Sequence, residues 1–389
     1  MKNNPISAQV SVMREAVRLL KQIRADRPGI PNANDSRSDG EQIGNWRSSI
    51  LPLEGNLAKC LTGDLLEGLR IPLSPARRTV NRQNLCTSPK KDSDIDIKSG
   101  SRFIEGSYEN SFGARKYRLY IPTSFRGQPL ALTVMLHGCT QDAEDFAAGT
   151  RMNEIAEKNN AFVLYPSQSQ SANISTCWNW FNACDQRRDH GEPSIIAGMT
   201  QEIVTSYHIN ESKVFVAGMS SGGAMAMILA ATYPDLYLAA GIHSGLPYGA
   251  ADNLSSALAA MRGGALNCGS LKILIPVIVF HGDHDRMVNP RNAAQILSQS
   301  LPTGVGPLTE EISMHQGALP GDRAYTRTVY RNVTGQPVAE YWIIQTGGHA
   351  WSGGSPLGSY TDPKGPDASA EMIRFFLNRK IEESYSGTP

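Results

Sequence analysis

One short stretch limits the fold more than any other: a run of strand-forming residues, Val214, Phe215 and Val216, leads into Gly218-Met219-Ser220-Ser221-Gly222, and an alanine- and methionine-rich helical segment follows. A strand, a G-x-S-x-G turn and a helix in that order form a nucleophile elbow. The glycines are a steric requirement. The turn is so tight that a side chain at Gly218 or Gly222 would run into neighbouring backbone, and the strain pushes the Ser220 hydroxyl out at the top of a sheet. The helix that follows points its first N–H groups at the place where negative charge would develop. Serine and glycine are common, so the pentapeptide alone says little. The strand and helix on either side single out Ser220 as the candidate nucleophile.

Two further segments supply partners for it. Val277-Ile278-Val279-Phe280 is a buried parallel strand by its unbroken apolar run, and Asp283 and Asp285 fall just past its end. Asp285 has cleared the strand end and is the expected acid, whereas Asp283 reads as a turn cap. Farther on, Ile343-Ile344 ends a strand and Gly347-Gly348 presents His349 on a loop. A histidine there takes the serine proton as general base and returns it to the leaving group, while the acid orients the ring. The chain order serine, acid, histidine is that of the α/β-hydrolase fold. Upstream, Leu132-Thr133-Val134-Met135-Leu136 runs into His137-Gly138-Cys139-Thr140, the position of a loop that donates one oxyanion-hole N–H. The Cys139 and Thr140 amides are the candidates, with Ser221 as the second donor. His137 precedes the nucleophile and reads as structural, its imidazole fixing this loop.

Taken together, LHGCTQ (136–141), CWNWF (177–181), AGMSSGGAM (217–225), SGLPYG (244–249), VFHGDHDRMV (279–288) and GGHAW (347–351) resemble the polyhydroxybutyrate (PHB) depolymerase-type esterases of the α/β-hydrolase superfamily. The resemblance covers roughly residues 105–380. It implies an α/β-hydrolase core, a Ser220/Asp285/His349 triad, and hydrolysis of short-chain hydroxyalkanoate polyesters, their oligomers or related esters. Related members act on feruloyl or acetyl esters of plant polysaccharide, which makes a carboxylesterase of that type the alternative. Secreted polymer-degrading members carry a linker and a granule-binding domain after the catalytic histidine. Here about forty residues follow His349, so weaker attack on solid polymer is expected. Two other classes remain to be separated by assay: a peptidase using the same three residues, and a non-enzymatic granule-binding protein.

Composition agrees without adding much. A chain of 389 residues has room for one large α/β domain and an extension. A net charge of +1 gives no reason to expect nucleic acid as a partner. No apolar run reaches the ~18–20 residues of a membrane span, and the N-terminus lacks the apolar core of a secretory signal. A cytoplasmic location is therefore expected, or a secreted or periplasmic one if a signal has been removed. No spacing suggests a metal site, and no cofactor is expected. Of the six cysteines, Cys177 or Cys184 could bridge to Cys139 or Cys268 and staple the site loops; reduced thiols are the other reading.

The expected architecture is a mostly parallel central sheet with helices on both faces over residues 102–382, an N-terminal, partly helical extension over 1–101, and a tail over 383–389. Within the extension, Ile6, Val10, Met13, Val17 and Leu20 line one helical stripe. That stripe suits a lid, a homo-oligomer contact, a granule anchor, or simply a helix docked on its own domain. A flexible linker over 25–50 and a short helix around 55–69 are expected after it. From 102 onward strands and helices alternate, beginning with a hairpin across Asn110–Gly113. Trp178 and Trp180 in the CWNWF loop read either as an apolar wall for substrate or as a satellite cluster beneath the loop. Trp351, two residues after His349, is expected in the pocket wall.

Overall fold

The computed structural model describes residues 102–379, apart from 270, 272, 302–305 and 318. The stripe at 6–20, the linker and the helix around 55–69 therefore lie outside the described residues, as does the tail.

Strands β1 (Arg102–Asn110) and β2 (Gly113–Ile121) form the expected hairpin, Asn110 opposite Gly113. They lead into β3 (Ala131–Leu136), β4 (Ala161–Ser167), β5 (Val214–Met219), β6 (Ala240–His243), β7 (Val277–Gly282), β8 (Thr309–His315), β9 (Tyr325–Arg331) and β10 (Pro337–Ile344). The ten-stranded sheet runs in the order β1-β2-β4-β3-β5-β6-β7-β10-β9-β8. Its centre, β4 through β10, is parallel throughout. Antiparallel pairs close it on both sides. A further pair, β11 (Trp351–Ser352) and β12 (Thr361–Asp362), stands apart from it.

The unbroken apolar runs follow from burial on both faces. Alternate residues of each central strand serve opposite cores. Val134, Val214, Val216, Val277 and Val279 face one core with helices α3 (Gly191–Tyr207), α4 (Ser221–Thr232), α5 (Leu254–Gly263) and α6 (Arg291–Ser300). Met135, Phe215, Ala217, Ile278 and Phe280 face the other, with α1 (Ala143–Thr150), α2 (Met152–Lys158) and α7 (Ala368–Leu377). This is the expected α/β-hydrolase sheet with helices on both faces.

Three local expectations change. Helices α1 and α2 are divided at Arg151, which adopts the left-handed conformation (φ 53°) and both ends α1 and starts α2, where the alternation of strands and helices gave no sign of a break. Helix α5 and the strand pair β8–β9 were not anticipated. Strand β8 reads Thr-Glu-Glu-Ile-Ser-Met-His and is largely exposed, as suits an edge strand kept from pairing by charge.

The elbow glycines behave as the turn demands. A Cβ on Gly222 would stand 2.1 Å from the Leu136 carbonyl oxygen and 2.5 Å from that of His137; one on Gly218 would stand 2.4 Å from the Gly222 backbone. The start of α4 is thus pressed against the end of β3. Gly222→Ala is expected to lower the unfolding free energy by about 1–3 kcal/mol, the usual cost of overpacking, read as a shifted midpoint in urea. An unchanged midpoint would show that the helix can slide away freely.

Candidate active site

The sheet gathers the candidate residues at the carboxyl edge of its parallel strands, where α/β folds place their sites. Ser220 follows β5 directly and holds φ at 56°. A non-glycine residue in that region is strained and persists only when its surroundings impose it. Here the Ser220 amide donates to the His243 carbonyl on the neighbouring strand at 3.0 Å, locking the turn to β6. The turn leaves the Ser220 hydroxyl without a hydrogen-bond partner among the described residues.

Asp285 and His349 meet across two loops laced together by backbone. The Asp283 amide donates to the Ile344 carbonyl at 3.1 Å and the His284 amide to the Gly347 carbonyl at 3.0 Å. The approach is so close that a Cβ on Gly282 would lie 2.2 Å from the Gly347 oxygen. Between these loops His349 Nδ1 donates to Asp285 Oδ2 at 2.8 Å. The Asp285 side chain is fully buried, and that of His349 is 11% exposed. Oδ1 accepts from the Met287 and Val288 amides, each at 2.9 Å. Burial by itself raises a carboxyl pKa. The His349 charge and the hydrogen bonds from His281 and His349 outweigh it and hold Asp285 well below the usual carboxylate range. Asp283, by contrast, is exposed. The acid and the histidine are therefore joined, but no hydrogen bond joins Ser220 to His349 among the described residues. Bonds of that kind tighten when substrate arrives.

The oxyanion loop corrects one expectation. The Thr140 amide is not free, because it donates to the Ser175 carbonyl at 2.7 Å. One N–H cannot serve two acceptors well, so Thr140 leaves the set of donors. What it does instead is tie the loop to its neighbours, with φ at 65° and its hydroxyl 3.1 Å from the Tyr360 hydroxyl. The Cys139 amide and the Ser221 amide, at the first position of α4, keep no partner among the described residues. Cys139 is bonded to Cys177 in a disulfide, which ties this loop to the aromatic one. Ser221 Oγ lies 3.5 Å from the Cys139 sulfur. Cys184 is also disulfide-bonded, and Cys268 is a free, exposed thiol.

His137 is structural, as expected. Its Nδ1 donates to the Gly138 carbonyl at 2.8 Å, and its Nε2 accepts from the Gln168 amide at 3.0 Å. Burial pushes its pKa down and keeps it neutral.

The tryptophans settle one open reading and correct one expectation: Trp178 and Trp180 form the cluster beneath the loop, and Trp351 is buried instead of lining a pocket wall. Trp178 is wholly buried and donates its indole N–H to the His137 carbonyl at 3.1 Å. Trp180 belongs to the same core and is 5% exposed. Trp351 is buried edge-to-face on Phe146 and stacked on His243, with its indole N–H on Ser369 Oγ at 3.1 Å. None of the three presents a wall to solvent. Their flat apolar bodies fill the space beneath the loops, and in two of them the polar edge is satisfied inside.

Sequence reasoning missed the groups that hold these loops. Glu192, buried in α3, pairs with Arg115 at 3.0 Å and accepts from Gln168, from the Asn179 amide at 2.7 Å and from the Asn179 side chain at 2.8 Å. Burial and the Glu192 carboxylate push nearby Asp185 up to about 7. His243 accepts the Ser352 amide at 3.0 Å, which pins the chain just beyond His349 to β6. Burial, followed by its histidine neighbours, pushes the His243 pKa down to about 3. The signal lay in polar side chains at strand and helix ends, but nothing in the sequence says which of them pair.

Comparison with known proteins adds to this geometry. Residues 115–305 match the family described as Esterase PHB depolymerase. Poly(3-hydroxyalkanoate) depolymerase C of Paucimonas lemoignei is 30% identical over 233 residues, covering 56% of this chain and 54% of that protein. Probable acetylxylan esterase A of Aspergillus fumigatus is 34% identical over 164 residues, covering 42% and 43% respectively. Feruloyl esterase B of Neurospora crassa is 29% identical over 231 residues, covering 54% and 76%. The chain spans about half the length of the first two of these relatives.

Proposed function

We propose, from the premise that residues 115–305 belong to the PHB depolymerase esterase family, that this protein is a serine esterase of short-chain hydroxyalkanoate polyesters or their oligomers. The observation that carries the reading is the Asp285–His349 hydrogen bond, formed past the carboxyl ends of the same parallel strands that end in a serine held at positive φ. In the first step Ser220 Oγ attacks the ester carbonyl carbon and gives its proton to His349 Nε2. The Cys139 and Ser221 amides receive the oxyanion; losing one such donor costs about 3 kcal/mol of transition-state stabilisation. Collapse expels the alcohol, protonated by His349. Water then enters by the same route, loses its proton to His349 and releases the acid and free Ser220. Asp285 keeps the imidazole in the Nδ1–H tautomer throughout.

Contact with a polyester chain falls to the loops around the oxyanion turn. Ile174 is 73% exposed beside Ser175, and Leu357 is 85% exposed in the loop that carries Tyr360. Both loops are bonded to Thr140. Each loop thus carries one exposed aliphatic side chain that an aliphatic ester chain could lie against. The second reading, an acetyl or feruloyl ester of polysaccharide, is favoured by the acetylxylan and feruloyl esterases among the relatives.

The Cys139–Cys177 bridge supports an oxidising compartment over the cytoplasm. No helix among the described residues is long and apolar enough to cross a membrane.

The deciding experiment compares hydrolysis of amorphous polyhydroxybutyrate, its soluble trimer and methyl ferulate by the purified protein. The expected result is a kcat/KM for the trimer at least tenfold above that for methyl ferulate. The opposite ranking favours the polysaccharide ester, and cleavage of a peptide anilide without ester turnover defeats both.

A further inference from the structure

His281 is buried, 1% exposed, at the end of β7. Its Nε2 stands 2.9 Å from the Val288 carbonyl oxygen and 3.4 Å from Asp285 Oδ2. A carbonyl oxygen only accepts, so the proton sits on Nε2 and is given to the far end of the acid loop, with the acid's own Oδ2 next to it at 3.4 Å. The other ring nitrogen, Nδ1, is buried with no partner among the described residues. A buried polar atom left unpaired costs about 1–3 kcal/mol. An apolar residue would fill this strand position without that cost, so core packing does not account for an imidazole here.

The loop explains what the N–H does. Asp285 Oδ1 is fully engaged by the Met287 and Val288 amides, which fasten the carboxylate to its own loop. Oδ2 then points wherever the loop points. The Asp285 amide donates to the Gly282 carbonyl at 3.1 Å, and among the described residues the His281 N–H is the side-chain donor that reaches both Val288 and Oδ2 from the end of β7.

We propose that His281 is a positioning residue that aims Asp285 at His349. The proposal rests on the esterase reading for its kinetic consequence but not for its structural one. Gln places its amide nitrogen where Nε2 sits; Asn reaches only to the Nδ1 position; Phe keeps the ring and loses the donor. His281→Phe and His281→Asn are expected to lower kcat on a short-acyl p-nitrophenyl ester by about 10–100-fold, the scale of a misaligned catalytic group, with KM within about twofold. His281→Gln is expected to restore most of the rate. In an Asp285→Asn background, His281→Phe is expected to cost no further activity, because residues acting through one another are not additive. An equal loss in both backgrounds, or no advantage of Gln over Asn, overturns the proposal.

A second readout needs no turnover. The proton between His349 Nδ1 and Asp285 gives a downfield imidazole N–H resonance, assigned by its loss in His349→Ala. It is expected to persist in His281→Gln and to weaken or move upfield in His281→Phe and His281→Asn. If Phe does not fold, as a thermal melt would show, the Gln and Asn variants carry the comparison. An unchanged resonance in Asn overturns the proposal even if the protein hydrolyses esters. A lost resonance in a protein that hydrolyses no ester supports it and removes the esterase reading instead.

Discussion

Ser220→Ala is expected to reduce ester turnover by roughly a million-fold, the scale seen when a serine nucleophile is deleted from a complete constellation. Stability should barely change. The Ser220 hydroxyl has no hydrogen-bond partner among the described residues, and the bond that holds the turn is made by its amide to the His243 carbonyl, which alanine retains. Alanine also keeps the Cβ, and with it the strain of φ at 56°. Ser220→Gly sharpens the test. It removes the hydroxyl and the strain together, so it is expected to be as inactive as alanine but more stable by about 1 kcal/mol or more. Initial rates on a short-acyl p-nitrophenyl ester and a thermal melt read both quantities. Residual activity above a hundredth in either variant would show that another group supplies the nucleophile.

The second large effect is expected at Asp285. Asp285→Asn should cost about 10⁴ in kcat, because the amide cannot hold His349 in the tautomer that accepts the serine proton. It should also cost stability. Every group facing this carboxylate is a donor: the Met287 and Val288 amides, His281 Nε2 and His349 Nδ1. An asparagine NH2 must therefore turn a donor against a donor inside the protein, at about 1–3 kcal/mol. Asp283→Asn is the control. Asp283 is exposed, so its substitution should stay within about 0.5 kcal/mol in stability and leave kcat nearly unchanged. If the Asp283 variant proves the more damaged of the two, the acid has been assigned to the wrong carboxylate.

These two positions were legible before any coordinates because their geometry is written into the chain locally. Gly218 and Gly222 announce the elbow, since nothing larger fits where α4 meets β3. The apolar runs of β3, β5 and β7 announce strands buried on both faces, and each candidate residue follows such a run directly. Strands β8 and β9 left no comparable trace. An edge strand has water on one side and can be polar throughout, so Thr309-Glu310-Glu311 carries no alternation to read. The break at Arg151 was equally silent, because a single residue in the left-handed conformation need not be glycine.

Within the site, the misreadings have one cause. Cys139 and Thr140 are adjacent and both looked able to donate to an oxyanion; Ser175, arriving from a different loop, takes the Thr140 amide and leaves that of Cys139. Trp351 looked like a pocket wall by its nearness to His349, and Trp178 and Trp180 read equally as a wall or as a buried cluster. Whether an indole faces in or out depends on what awaits its N–H, and His137 and Ser369 wait inside for Trp178 and Trp351.

The chain alone was enough to establish where backbone must turn sharply, which strands are buried, and which serine, acid and histidine come next in order. Those are consequences of steric volume and apolar spacing, properties that neighbouring residues carry with them. The folded molecule decided which polar groups meet: Asp285 with His349 and His281, Thr140 with Ser175, Glu192 with Arg115 and Asn179. An N–H has one proton to give, and its recipient is settled by which distant segment arrives within 3 Å or so of it.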